Sequence, residues 1–381
     1  MLMYNNYMNE YYKTLNLEGH GPINKNEFID LNKIVASLKK CRTKSNKTKR
    51  CAICKRTGVK YCNSHTIPQF ILKNIVKEGK LFNTQVFNST KLVDDTTGIN
   101  KTQVFHSICT HCDNVIFKDY ENIDSYKREP SQAILKQIAL KNHLYSSYKH
   151  NQEKILYNNL VKKIFGSSLH IPVQHPLKHM LKATEHNYCY NNKRANLIIK
   201  NLLNDIELYK VCYFKKLNYT VPIALQDNSI ISFGFDNERL ANTFDFPSFD
   251  YADDVHVCIY PMEKESVIIL FCANNLNIYD NFFDTLKKQN ECEQLSIINF
   301  LVFAYFEDVF LNKNIDRNIF DNVNLKKLSQ EQMWIISNYN RISSLTKSER
   351  ENSKWEALAK NFNIYNHNKI PNLLAISYKL N

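Results

Sequence analysis

Glycine and proline are scarce in this chain, at seven and nine of 381 residues, which argues against long flexible linkers between its parts. A run of apolar residues long enough to span a bilayer is also missing. The most apolar helix candidate, Leu295 to Leu311, falls slightly short and contains Glu307 and Asp308, so it reads as a buried helix. The N-terminal stretch MLMYNNYMNEYYK is polar and aromatic and lacks the apolar centre of a secretory signal. No repeat at solenoid periods and no low-complexity tract is present. Acidic residues are the minority charge. Fifty Lys and Arg against 37 Asp and Glu leave a formal charge of +13, which favours a polyanionic partner.

What the chain does have is size and cysteine. Its length allows two or three domains, and 44% hydrophobic residues fit a folded globular protein. Eleven cysteines, an odd number with no secretory signal before them, point to a reducing cytoplasm and to metal binding rather than disulfides. Two pairs have the spacing of a zinc knuckle, Cys51 with Cys54 and Cys109 with Cys112. A two-residue gap lets both sulfurs of a tight turn reach one ion, and two such turns supply the four thiolates of a structural zinc site. Cys189, Cys212, Cys258, Cys272 and Cys292 read as small core residues.

The basic charge is concentrated next to the first knuckle. From Lys39 to Lys60 ten residues are basic and none is acidic. Lys44, Lys47, Lys49, Arg50, Lys55 and Arg56 in this run are candidate contacts to a phosphate backbone, the alternative being a solvated linker.

Between the knuckles stands Ser64-His65-Thr66-Ile67-Pro68. A knuckle, a strand ending in His-x-Ile-Pro, and a second knuckle opening a helix resemble the HNH (ββα-metal, treble-clef) endonucleases. The strings SHTIPQFILKNI, ICTHCDN and KDYEN are similar to a bacterial group carrying that nuclease head. The resemblance covers residues 51 to 121, with a weaker echo through QIALKN. It implies zinc on the four cysteines and a catalytic Mg²⁺ or Mn²⁺ held between a hairpin and a helix. His65 would be the general base that takes a proton from the attacking water. Asp113, or its neighbour Asn114, would bind the catalytic metal, with Glu121 as a further ligand. Asn100 is a looser candidate for the motif's asparagine, and Lys118 for a phosphate contact. Ser64 departs from the pattern: many relatives place an acid there to hold the metal.

The expected fold is α+β: an irregular arm and basic helix at 1–50, a zinc-bound ββα head at 51–125, a helical region at 126–200, and a mixed region at 201–381 with a mostly antiparallel sheet. Within the head, Val59 to His65 and Gln103 to Ile108 read as strands and Cys112 to Tyr120 as a helix. Residues 79–102 read as an insertion. Pro130-Ser131 marks a helix start, and Ile134, Leu135, Ile138, Leu144 and Tyr145 form its apolar stripe. A further helix is expected from Lys193 to Glu207. LYKVCYF, TVPIALQ, SIISFGF, VHVCIY and SVIILF read as strands, followed by helices near 279–290 and 293–311 and a polar helical region to 362. Weaker candidates are His175, His179 and His186 on one helical face, and the acids Asp250, Asp253 and Asp254 in a loop. A plain polar surface is preferred for both sets.

The expected function is a metal-dependent DNA endonuclease of defence or mobile-element type, with no membrane association. Its C-terminal region would sense a small-molecule signal, bind a protein partner or select the substrate. Nothing in the sequence separates DNA from RNA as substrate. The alternative is a non-catalytic zinc treble clef that binds nucleic acid or organises a complex.

Overall fold

VHVCIYP and SVIILFCA are almost wholly apolar, and a strand can be apolar on both sides only where both faces of its sheet are covered. The computed structural model describes residues 50–84, 94–165, 176–241, 254–326, 328, 360 and 362–380, and these strands lie at the centre of such a sheet. In chain order the elements are β1 (Ser64–His65), α1 (Gln69–Lys73), β2 (Lys80–Asn83), β3 (Asp94–Gly98), β4 (Val104–Phe105), α2 (Thr110–Ile116), α3 (Gln132–Phe165), α4 (Pro176–Lys200), β5 (Tyr209–Leu217), β6 (Ile223–Ser229), β7 (Val255–Pro261), β8 (Ser266–Ala273), α5 (Asp280–Lys288), α6 (Glu291–Tyr305) and β9 (Phe310–Leu311). The fold is mixed α+β.

Seven strands form one sheet in the order β3-β2-β9-β6-β7-β8-β5, and every neighbouring pair is antiparallel. The two-residue period of a strand sends alternate side chains to opposite layers. Val257, Ile259, Ile268 and Leu270 face a core with Phe282 and Leu286 of α5 and Ile298 and Phe300 of α6. Cys258, Tyr260, Val267, Ile269 and Phe271 face a second core with Ile134, Leu135 and Ile138 of α3 and the cysteine-rich head. The head therefore rests on the sheet rather than standing apart from it. Residues 79–102, read as an insertion, supply β2 and β3, and β2 joins the C-terminal sheet through β9.

Several sequence expectations change in detail. The strand expected over 59–65 shortens to Ser64–His65, preceded by a single bridge from Tyr61 to Cys109, and its partner shortens to Val104–Phe105. The helix expected from Lys193 runs instead over Pro176–Lys200. SIISFGF contributes only Ser229 to β6, and its Phe233 makes one isolated bridge to Arg239. The helix expected to reach residue 311 stops at Tyr305, because Phe310 and Leu311 are taken up as β9 between β2 and β6. At its start, Asn290 caps α6 by accepting from the Glu293 N–H at 3.0 Å. Cys189 and Cys292 are exposed rather than core. The expected arm and helix at 1–49, with Lys44, Lys47 and Lys49, lie outside the described residues, as do His175, Asp250, Asp253 and most of the polar region before 362. Among the described residues no helix is long and apolar enough to cross a membrane.

Candidate functional site

The first knuckle is a tight turn: the Lys55 N–H donates to the Cys51 carbonyl, and the Cys51 N–H to the Arg56 carbonyl, both at 3.0 Å. Lys55 sits at φ 60° and Gly58 at φ 68°, so the turn closes through left-handed backbone. The second knuckle is the start of α2, where the Cys109 sulfur caps the helix by accepting from the Cys112 N–H. Backbone bonds from Ala52 to Ser107 (2.8 Å) and from Thr110 to Lys60 (3.0 Å) hold the two turns together.

The four thiol sulfurs of Cys51, Cys54, Cys109 and Cys112 all lie within 4.8 Å of one another, with Cys54 and Cys109 3.9 Å apart. A tetrahedral zinc with bonds of about 2.3 Å needs sulfurs about 3.8 Å apart, so this set fits the ion. Burial opposes ionisation of Cys51, but backbone N–H groups of Cys109, Cys54 and Ile53 outweigh it and bring the thiol down to about 7. With four sulfur ligands and no open position, such a zinc would order the head and take no part in a reaction.

On the other side of α2 lies a second cluster. β1 pairs with β4 in the register Ser64 to Phe105 and His65 to Val104, and α2 follows the hairpin. Ser64 Oγ donates to Asp113 Oδ1 at 2.8 Å. Lys141, from the first third of α3, donates to Ser64 Oγ at 2.7 Å and to the same Asp113 oxygen at 2.8 Å. Its ammonium stands 4.2 Å from the centre of the Phe117 ring and 5.5 Å from that of Tyr120. The Lys141 side chain is 1% exposed and that of Asp113 22% exposed.

The charges in this cluster set one another. Burial would raise the Asp113 carboxyl, but Lys141, Ser64 and Cys62 together hold it below its usual range. Burial and the Asp113 charge push the Cys62 thiol up to about 12, so it stays protonated. His65 is half-buried at the end of β1, with Nε2 3.4 Å from Gln69 Nε2. Burial and then the Lys141 charge lower its pKa, and the imidazole is neutral at pH 7.

The remaining site residues scatter. Asn100, Asn114, Lys118 and Glu121 are exposed. Glu121 keeps an open face, yet the surrounding protein and the Asp113 charge raise its carboxyl. Arg50 and Arg56 are exposed next to the knuckle, whereas the Lys55 ammonium is already engaged by the Ala52 carbonyl at 2.6 Å and Asn196 at 3.2 Å. Asp254 is buried and accepts from Asn228 at 2.5 Å.

A catalytic Mg²⁺ or Mn²⁺ does not fit these residues. Such an ion takes oxygen ligands, usually one or two carboxylates. Asp113 Oδ1 already receives a hydroxyl and an ammonium, and Glu121, though close enough to feel both charges, is not grouped with Asp113 around a common point. Among the described residues the four cysteines are the only group of three or more His, Cys, Asp or Glu side chains close enough to share an ion.

Sequence reasoning passed over Lys141 and Cys62. The signal for Lys141 was present: it stands three residues after Ile138 and four before Tyr145, on the apolar stripe of its own helix. A lysine on a core-facing stripe needs polar partners for its ammonium, and Asp113 is the acid among those of Lys141.

No family model, curated protein or solved structure matches the chain.

Proposed function

We propose that residues 51–125 form an HNH-like zinc head that acts on nucleic acid, hydrolysing phosphodiester bonds in DNA with His65 as the general base. The observation that carries this reading is His65 itself. It is a neutral, half-buried imidazole at the end of the first strand of a hairpin-then-helix unit, beside an ordered charged cluster. A neutral imidazole at that strand end can accept a proton from water, and perturbed titratable groups gather where chemistry is done. Exposed Arg50 and Arg56 border the head and suit a polyanionic partner. A role in bacterial defence or a mobile element, and a signal-receiving role for the C-terminal region, belong to this reading through the resemblance alone.

The test is a nicking assay on supercoiled plasmid, run with Mg²⁺, with Mn²⁺ and with enough chelator to strip both while zinc stays bound. His65→Ala should keep zinc, fold and DNA binding and lose roughly 10²–10⁴-fold in cleavage. Retained cleavage in that variant removes His65 from the mechanism.

A second reading, a non-catalytic zinc module that binds nucleic acid or organises a complex, is favoured by one observation. Asp113, the residue the nuclease pattern assigns to the catalytic metal, is tied up by Lys141 and Ser64. Wild-type protein that binds DNA and leaves it uncut under every metal condition would decide for this reading.

A further inference from the structure

We propose that Lys141 is the resident cation of the Ser64–Asp113 site, so that the head takes its one metal on the four cysteines and no divalent ion beside His65. The inference rests on the HNH-like reading for where a catalytic ion would sit, and goes beyond it in naming what sits there.

Three observations carry it. First, the ammonium lies within 2.8 Å of both oxygens that would face such an ion, Ser64 Oγ and Asp113 Oδ1. Second, the position is enforced from outside the head. Lys141 comes from α3, a 34-residue helix packed on the sheet, and its ammonium lies over the rings of Phe117 and Tyr120, so it cannot swing into solvent without leaving that helix's core face. Third, the position beside His65 whose side chain faces Asp113 is a serine, which brings no charge to a divalent ion. An acid at position 64 would put two carboxylates around one cation, charge enough for a divalent ion. Serine adds no charge, so Asp113 is the one carboxylate bonded to the Lys141 ammonium, while Glu121 acts on the pair only through space. Serine at position 64 and the lysine thus match each other: the pair offers fewer negative charges than two carboxylates would, and its resident cation carries one positive charge rather than two.

Displacing Lys141 with Mg²⁺ would leave a buried ammonium without its anion, and the ion would gain only one carboxylate in return. The competition therefore runs against the metal. Electrostatic support for any negative charge that develops near His65 comes from a fixed protein group, whose field does not depend on free Mg²⁺.

The experiment is Mn²⁺ binding to the zinc-loaded full chain, followed by electron paramagnetic resonance of free Mn²⁺, with zinc content measured in parallel. Wild type and Asp113→Asn should bind Mn²⁺ equally weakly. Lys141→Met keeps the apolar stem on Phe117 and removes the charge. It should bind Mn²⁺ at least about tenfold more tightly than wild type, and Asp113→Asn added to it should abolish the gain. Two outcomes overturn the proposal: an Asp113-dependent Mn²⁺ site in wild type, or a folded, zinc-loaded Lys141→Met with no gain. If Lys141→Met fails to fold, as its zinc content and circular dichroism would reveal, the wild-type comparison with Asp113→Asn still decides. Plasmid cleavage is scored separately, so a protein that never cuts DNA sinks the nuclease reading and leaves the Mn²⁺ result standing.

Discussion

A charged side chain inside a protein is stable only in company, and α3 shows this twice. Lys136 and Lys141 lie on one helix and are both buried, yet their partners differ in kind. Lys136 donates to the Asn201 and Asn204 carbonyls just past the end of α4, at 3.1 and 2.6 Å. Lys141 meets a carboxylate, and removing either member of such a buried pair typically costs about 3–5 kcal/mol because the other is left stranded. At the four clustered cysteines the expected outcome is sharper still. Cys109→Ser removes a ligand and the cap of α2 together, so zinc content measured by elemental analysis should fall well below one per chain. The damage should reach the sheet, because Cys109 belongs to the same core as Ile269 and Phe271. The cysteines and His65 were legible in the sequence, since their spacing is a local pattern carried by two turns and one strand. Lys141 was not, because its acid lies 28 residues away and its charge looks like any other until the helix is given its neighbours.

At the scale of elements, the joint between head and sheet is polar at its centre. Gln226 on β6 is fully buried. Its side-chain oxygen accepts from Tyr120 Oη at 2.7 Å and from Tyr260 Oη, and its amide donates to Asn142 Oδ1 at 2.8 Å. Its backbone carbonyl takes the Gln103 amide at 3.2 Å, and Tyr120 also donates to the Thr66 carbonyl. One side chain thus joins α3, the head and two strands. Gln226→Leu keeps the volume and strands the Tyr260 hydroxyl and the Asn142 amide oxygen, while Tyr120 keeps the Thr66 carbonyl, so it should lower stability by about 2–4 kcal/mol in urea unfolding. Tyr120→Phe removes a hydroxyl together with its need for a partner and should cost less. Equal losses in the two variants would mean that packing, not hydrogen bonding, makes the joint. The strands and long helices were largely visible as periodic apolar runs, β7, β8 and the stripe of α3 above all. The bonds made by Gln226 were not, because a glutamine in TVPIALQ carries no mark of facing a tyrosine 106 residues away.

At the scale of the whole molecule, acid should find a weak point where α3 crosses the sheet. His143 and His256 are buried against each other with ring centres 5.2 Å apart, and Asn191 and Asn142 contact their Nδ1 atoms at 2.9 and 3.1 Å. Burial brings His143 down to about 3 and His256 well below its usual value. Both stay neutral in the folded chain, whereas in the unfolded chain they take up protons below about pH 6.5. The unfolded state then binds more protons, so this contribution lowers stability as pH falls from about 6.5 towards 3, by up to about 1.4 kcal/mol per pH unit for each histidine. Asp227 acts in the opposite sense, since burial and Asp308 hold it up to about 8 and acid relieves it. The histidine contribution is therefore read as a difference. The stability gap between wild type and His143→Gln, measured in urea at pH 7 and pH 5, should shift against wild type at the lower pH. An unchanged gap would mean that His143 titrates normally.

The order of strands in the sheet also bears on how the chain is made. β2 lies near the start of the described chain and β9 near its end, yet Phe82 pairs with Leu311, and Asn312 donates to the Ile75 carbonyl 237 residues behind it. A ribosome adding roughly 5–20 residues per second needs on the order of tens of seconds to cover that interval. Throughout it, Leu81 and Phe82 have been translated but β9, their neighbour in the sheet, has not. Zinc can gather the cysteine turns long before then, because all four sulfurs have emerged once Cys112 has. A newborn chain would thus carry a metal-stapled head with an unpaired strand edge protruding from it, a state in which helper chaperones or aggregation compete for the same surface.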